Sequence, residues 1–341
     1  MSVLAIQPGA IGDFVVSLPA LRFLRQSVGA DRMEIWCERV NVPLAEHPAY
    51  ASRVRPLAET GFDSYPLPAR TLEALCEFDL VISWRGAAFT ELRDVVRAAH
   101  PRAHFLPQFP APGLGVHLAD FRRAQIAELF GADAAAGLDP HPRIFLDDAG
   151  LASPVARAKR ALECGGWPPL GQRSGDQTIA HLRSRPGFES SPAPLAVIHP
   201  GASSARKRWP AGKFADVALA LQRDRNAAVL ISEGPLDAEA VVALCSAAPE
   251  LRAARLRLDN LRHLAAVLSR ARLYVGNDSG IAHLAAAAGC PTVAVFVASD
   301  PLVWVPRGPA VTVLEQPSVS DVLAACEEIF HERTGAGVRH G

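Results

Sequence analysis

Residues 3–21, VLAIQPGAIGDFVVSLPAL, read as strand, glycine loop and helix, and this unit decides the fold. Val3–Ile6 is a short apolar, β-prone run. Gln7–Asp13 carries Pro8, Gly9 and Gly12, and glycines there let the backbone turn sharply and approach a ligand. From Phe14 to Gln26 the apolar residues Val15, Leu18, Leu21, Phe23 and Leu24 recur at helical spacing, with Pro19 marking a first turn or a kink.

Outward from this unit the pattern repeats. Met33–Cys37 and Leu80–Ser83 read as further strands, with a helix at Thr71–Glu77. Apolar strands alternating with helices predict a parallel sheet covered on both faces. Dense Gly, Pro and Ser punctuation between Gly165 and Pro194 predicts an irregular connection. The rhythm then restarts with strands at Leu195–His199, Ala228–Ser232, Leu273–Val275 and Thr292–Val297. Helices are expected at Lys213–Arg223, Leu236–Ala247, Leu261–Ser269 and Ile281–Ala288. The predicted class is α/β, with two Rossmann-like, doubly wound parallel-sheet domains facing a cleft. The expected boundaries are 1–172 and 194–341, joined by 173–193. A last helix near Ser318–Arg333 packs on its own lobe or back on the first.

Composition narrows the function classes. The chain has 341 residues, 49% hydrophobic and 21% charged, which suits a folded protein of about two domains. Thirty-five Lys and Arg balance 35 Asp and Glu, so no global basic field points to nucleic acid. The six cysteines form no CxxC pair and read as reduced, mostly buried residues of a cytosolic protein. No uninterrupted apolar run reaches membrane-spanning length, and the N-terminus lacks the pattern of a signal peptide. A monomer is expected, in the cytoplasm, with room for peripheral contact at the inner membrane face.

Three loops carry the chemistry. PGAIGD (8–13) is a GxxG rather than a GxGxxG, so it is a weak dinucleotide fingerprint. Asp13 would repel a phosphate there; it reads as a helix cap or as a general base at the edge of the first strand. HPGASSARKRWP (199–210) follows a strand with a glycine, the hydroxyls of Ser203 and Ser204, and the cations Arg206, Lys207 and Arg208, which suits a phosphate-bearing ligand. The plain alternative is a solvated basic loop with Trp209 as a packing anchor. YVGNDSGIAHLAAAAGCP (274–291) offers a helix N-terminus to a pyrophosphate, with Asp278 as the cap and Ser279 and Gly280 as amide donors. His283 is either a ligand contact or a packed helical residue.

Together the stretches GAIGDFVVSLPAL (9–21), HPGASSARKRWPAGKFADVA (199–218) and VGNDSGIAHLAAAAGCPTVAVF (275–296) resemble glycosyltransferase family 9, the family of the ADP-heptose–lipopolysaccharide heptosyltransferases. The order and approximate separation match along nearly the whole chain. The resemblance implies a GT-B fold, with an acceptor-binding N-terminal lobe and a nucleotide-sugar-binding C-terminal lobe. It also implies inverting transfer of a sugar, most directly heptose from ADP-heptose, to a lipopolysaccharide core or similar glycan, with no cofactor and no metal. Asp13 takes the place of the family's proposed base and Lys207 that of its phosphate-binding lysine. Asp278, Ser279, Gly280 and His283 take the place of its diphosphate loop, and Ser203 and Ser204 fall in its phosphate-contacting loop. Glu233 and Asp237 are alternatives for its ribose-binding acid.

On the acceptor side, Gly9, Gly12 and Arg85 lie at the cleft edge of the first lobe. Acceptors carrying anionic sugars and phosphates call for cations, and Arg53, Arg55, Arg85, Arg93, Arg97 and Arg102 are scattered through that lobe without a motif. Rival readings are a GT-B transferase with another donor or acceptor, a catalytically silent nucleotide-binding module, and an NAD(P)-dependent oxidoreductase. The last is disfavoured by the missing GxGxxG and by Asp13.

Overall fold

The run at Ser2–Gln7 forms β1, buried from its second residue onward. It is the middle strand of a five-stranded sheet with β2 (Arg32–Cys37), β3 (Arg53–Pro56), β4 (Leu80–Ser83) and β5 (Ala103–Phe105), in the order β3-β2-β1-β4-β5. All pairings are parallel, with Ser2 opposite Arg32 and Val3 opposite Leu80. The computed structural model describes residues 1–131, 139–146 and 193–332. The expected connection at 173–193 lies outside the described residues up to its last position.

A second sheet has six parallel strands in the order β11-β10-β9-β6-β7-β8. They are β6 (Leu195–His199), β7 (Ala228–Glu233), β8 (Arg255–Arg257), β9 (Leu273–Asn277), β10 (Thr292–Phe296) and β11 (Val311–Glu315). In each sheet the chain builds outward on one side and then returns to the other. The strand order therefore reverses beside β1 and β4 in the first sheet, and beside β6 and β9 in the second. The carboxyl ends of strands at such reversals leave a crevice where ligands bind in open α/β sheets. The loops after β1, β4, β6 and β9 open there.

The helix expected from Phe14 to Gln26 is broken in two, Ile11–Val15 and Leu18–Ser27. Pro19 has no N–H to continue the first helix, but it fits the first turn of the second, where that N–H has no partner in any case. The last helix, Val319–Glu332, packs on the second lobe, so the alternative of packing back on the first is not taken. Its apolar face (Val322, Ala325, Cys326, Ile329) enters the cluster of Phe214, Val217 and Val293, and Arg225 ties the helix down through Glu327.

The two lobes share core. Phe14 and Val15 belong to the same buried cluster as Ile281, Ala282 and Ala285 of the helix Gly280–Ala287. Small residues make this approach possible. A Cβ on Gly280 would stand 2.7 Å from Ile11 Cβ and 2.9 Å from the Gly12 amide nitrogen. Gly280→Ala is therefore expected to cost about 1–3 kcal/mol by overpacking. Calorimetry should read this as an unfolding midpoint roughly 5 °C lower; an unchanged midpoint would mean that the lobes do not meet there.

Candidate active site

Asp13 sits in the first turn after β1, and its Oδ2 accepts a hydrogen bond from the Ala10 amide at 3.2 Å. The capping reading and the general-base reading are thus compatible, because the cap engages a single carboxylate oxygen. Gly9 makes room for the side chain. Its φ is +119°, in the region that favours glycine, and a Cβ there would lie 2.8 Å from Asp13 Cβ. Burial pushes the Asp13 carboxyl above the usual range, while Arg122, the Ala10 N–H and Lys207 pull it back.

Arg122 is fully buried, on the helix Leu118–Phe130. It donates to the Asp13 carbonyl at 2.6 Å, to the Gln108 carbonyl at 3.1 Å and to the Ser17 hydroxyl. Burial lowers its pKa to about 10, opposed by the Asp13 charge, so it remains a cation at neutral pH. A buried cation held by neutral acceptors is costly unless an anion lies nearby. The Asp13 carboxylate is that anion.

Across the cleft, Asn277 laces the second lobe's two loops together. Its Oδ1 accepts from the Trp209 amide at 2.8 Å and its Nδ2 donates to the Pro200 carbonyl at 2.9 Å. Lys207 is thereby carried over the end of β9, where its Nζ lies 2.7 Å from Asp278 Oδ2. Asp278 is not the helix cap. Ser279 takes that role, accepting from the Ala282 amide, and Asp278 is left to bind the lysine. The Cα of Gly280 packs against the first lobe's Gly12 and Ile11. His283 is 3% exposed and lies against Gly12. Burial pulls its pKa down to about 4, helped by His117 and Lys207 and opposed by Asp278, so the ring is neutral at pH 7.

The remaining candidates separate. Ser203 is exposed and Ser204 half-buried on the loop that precedes Lys207. Glu233 receives two bonds from Arg255, at 2.6 and 2.9 Å. Asp237 accepts from the Gly234 amide at 2.8 Å, and its carboxylate lies over Gly201, 3.8 Å from His199 Nε2. On the first lobe Arg85 follows β4 and pairs with Asp63 at 2.7 Å. It lines a cavity of about 510 Å³ together with Gly9, but Gly12 does not line it, being taken up in the lobe contact.

Sequence reasoning missed the clasp between the lobes. Trp304 of the short helix Pro301–Trp304 lies 5.9 Å from Lys207 Nζ and 6.0 Å from the Phe109 ring. His117 Nδ1 accepts from the Ala119 amide, so its Nε2–H donates to the Val305 carbonyl at 2.9 Å. Arg307 grips Asp120 with both of its terminal nitrogens. Arg122 was missed too. Its only signal is a cation inside the helical stretch LADFRRAQIAELF, where a solvated position looks the same. Among the described residues no group of three His, Cys, Asp or Glu side chains is arranged to hold a metal. No helix among them is long and apolar enough to cross a membrane.

The chain is similar to known proteins. Residues 169–322 match the sequence profile of glycosyltransferase family 9 (heptosyltransferase). A segment is 31% identical over 111 residues to the lipopolysaccharide core heptosyltransferase OpsX of Haemophilus influenzae, covering 31% of this chain and 31% of that protein. The match thus spans about a third of that relative's length. Among solved structures, a glycosyltransferase family 9 protein of Veillonella parvula superposes with a TM-score of 0.69 at 17% identity, covering 97% of each chain. The ADP-heptose lipopolysaccharide heptosyltransferase II of E. coli superposes with a TM-score of 0.68 at 16% identity, covering 98% of this chain and all of that one. E. coli heptosyltransferase WaaC with ADP gives 0.58 at 19%, covering 98% and 99%. At such identities the structural likeness establishes the fold, GT-B, with its two parallel-sheet lobes. The profile match adds a likeness in sequence: residues 169–322, on this GT-B frame, are similar to glycosyltransferase family 9 (heptosyltransferase).

Proposed function

We propose that the chain is an inverting glycosyltransferase that moves a sugar, heptose from ADP-heptose in the first instance, onto a glycan hydroxyl of the lipopolysaccharide-core type. The observation that carries this reading is the opposition of two groups at the two strand-order reversals. The Asp13 carboxylate stands at the end of β1, and the Lys207–Asp278 pair stands at the end of β9, close enough that Lys207 lowers the Asp13 pKa.

Asp13 accepts the acceptor hydroxyl's proton as that oxygen attacks the anomeric carbon from the face opposite the diphosphate. Lys207 and the amino end of the helix Gly280–Ala287 stabilise the charge that builds on the departing diphosphate, a task that a metal ion performs in other transferases. Asp278, itself 3% exposed, holds Lys207 over that end until the diphosphate competes for it. Ser203 and Ser204 supply hydroxyl donors from the same loop. Asp237 is assigned the ribose hydroxyls, since Glu233 is already occupied by Arg255. Support for the donor comes from the relatives: one structure is of an ADP-heptose transferase and another was solved with ADP.

A thermal-shift titration with ADP, UDP, GDP and TDP and their sugars tests the donor. ADP and ADP-heptose are expected to give the largest stabilisation, since a ligand at 100 times its Kd adds about 2.7 kcal/mol. A preference for another nucleotide would move the donor and leave the mechanism standing.

The Arg122–Asp13 pairing has its own prediction. A base must be deprotonated to act, so kcat/KM falls as pH drops through the Asp13 pKa. Arg122 lowers that pKa. Arg122→Met is therefore expected to move the acid limb of the pH profile to higher pH, and Arg122→Lys to move it back part of the way. A limb that stays in place while the rate falls would reduce Arg122 to a packing residue.

A further inference from the structure

We propose that the cavity beside the Asp13 turn is an acceptor subsite for an uncharged pyranose ring, stacked on the aromatic pair Tyr65 and Phe89. This rests on the glycosyl-transfer reading and extends it to the chemistry of the acceptor.

Placement is the first argument. The cavity, about 510 Å³, is lined by Gly9 of the Asp13 turn and by Arg85 and Gly86 after β4. It therefore opens at the first sheet's strand-order reversal, next to the candidate base. Its volume falls in the range of small-molecule sites, about 300–1,000 Å³.

The wall is the second argument. Tyr65 and Phe89 both line the cavity and are 50% and 39% exposed. Their ring centroids lie 4.8 Å apart with planes at 62°, an edge-to-face pair that leaves ring faces open. Most other large aromatic side chains of this lobe, including Trp36, Phe62 and Trp84, are buried. An aromatic face carries partial negative charge, and the C–H face of a pyranose carries partial positive charge. Such a ring presents its apolar face to the pair and its hydroxyls outward.

Charge is the third argument, and it agrees with arginines that are scattered through this lobe rather than gathered. The charged lining is Glu38, Asp63 and Arg85, two carboxylates against one guanidinium. Arg85 is already paired with Asp63, and Arg39, next in the chain to Glu38, is paired with Glu59. Arg55 lies beside the buried Glu34, and Arg93 lies beside Asp94. A sugar acid or a phosphate would meet Glu38 and Asp63 as like charges, whereas the hydroxyls of a neutral ring donate to them.

Saturation-transfer NMR on the full chain, with methyl β-D-glucopyranoside as the neutral probe and the methyl glycoside of an ulosonic acid as the anionic one, tests the proposal. The neutral glycoside is expected to bind. Tyr65→Ala and Phe89→Ala should each weaken it about tenfold, and Tyr65→Phe should retain it. The acidic probe should show no transfer at the same concentration. Tighter binding of the acidic probe, no binding of the neutral one to the wild type, or equal binding by all variants would overturn the assignment. The ADP-induced thermal shift reads the other lobe and is expected to be the same in every variant. Its absence from the wild type would remove the transferase reading while leaving the glycoside result to stand or fall by itself.

Discussion

Asp13→Asn is expected to lower kcat/KM by about 10²–10⁴, the range of a positioned general base, while the affinity for ADP stays within about twofold. Asparagine keeps the shape and still accepts the Ala10 amide bond, so the first turn of the helix survives. What is lost is the ability to take a proton. The Asp13 pKa is raised by burial, which makes the carboxylate a stronger base than an exposed one, and the attractions of Arg122 and Lys207 limit that rise. Isothermal titration with ADP together with single-turnover transfer separates the two properties. Transfer by Asp13→Asn at a rate near that of the wild type would rule out the base assignment.

Lys207→Met is expected to cost about 10²–10³ in kcat, since in the proposed reaction it removes the charge that stabilises the leaving diphosphate. Its second consequence is distinctive. Lys207 is the cation on Asp278, whose side chain is 5% exposed. Without it the carboxylate is buried and unpaired, and the folded state is destabilised. Asp278→Asn in the same chain removes the orphaned charge. The double variant is therefore expected to regain the unfolding midpoint without regaining the rate. Recovery of both would mean that Lys207 serves only the fold; recovery of neither would mean that the pair is not what holds the loop.

Much of the architecture was legible because buried parallel strands announce themselves. The strands read from the sequence, β1, β2, β4, β6, β7, β9 and β10, are apolar runs, and every one of them has a strand on each side. The strands that went unread, β3, β5, β8 and β11, are three to five residues long and hold partly exposed positions such as Arg53, Arg55 and Arg257. Each is added to a sheet whose interior is already formed, so its own residues need not be apolar. The helix Gly280–Ala287 was legible from its alanines and its stop at Gly289. Which residue caps it was not, because Asp278 and Ser279 are both good caps and a lysine 71 positions away decides between them.

The sequence by itself determined the two doubly wound sheets, the glycine loops at their strand ends and the residue types set there: a carboxylate after β1 and a lysine with hydroxyls after β6. Periodicity and local propensity carry that information within a few turns of chain. The tertiary structure alone decided which groups meet. Arg122 stands against Asp13 from a helix more than a hundred residues away, and Lys207 is held by Asp278 across two loops that Asn277 ties together. Gly12 and Gly280 turn out to be places where the two lobes touch. Charge compensation and close packing act through space, so they are fixed only when both sheets are in place.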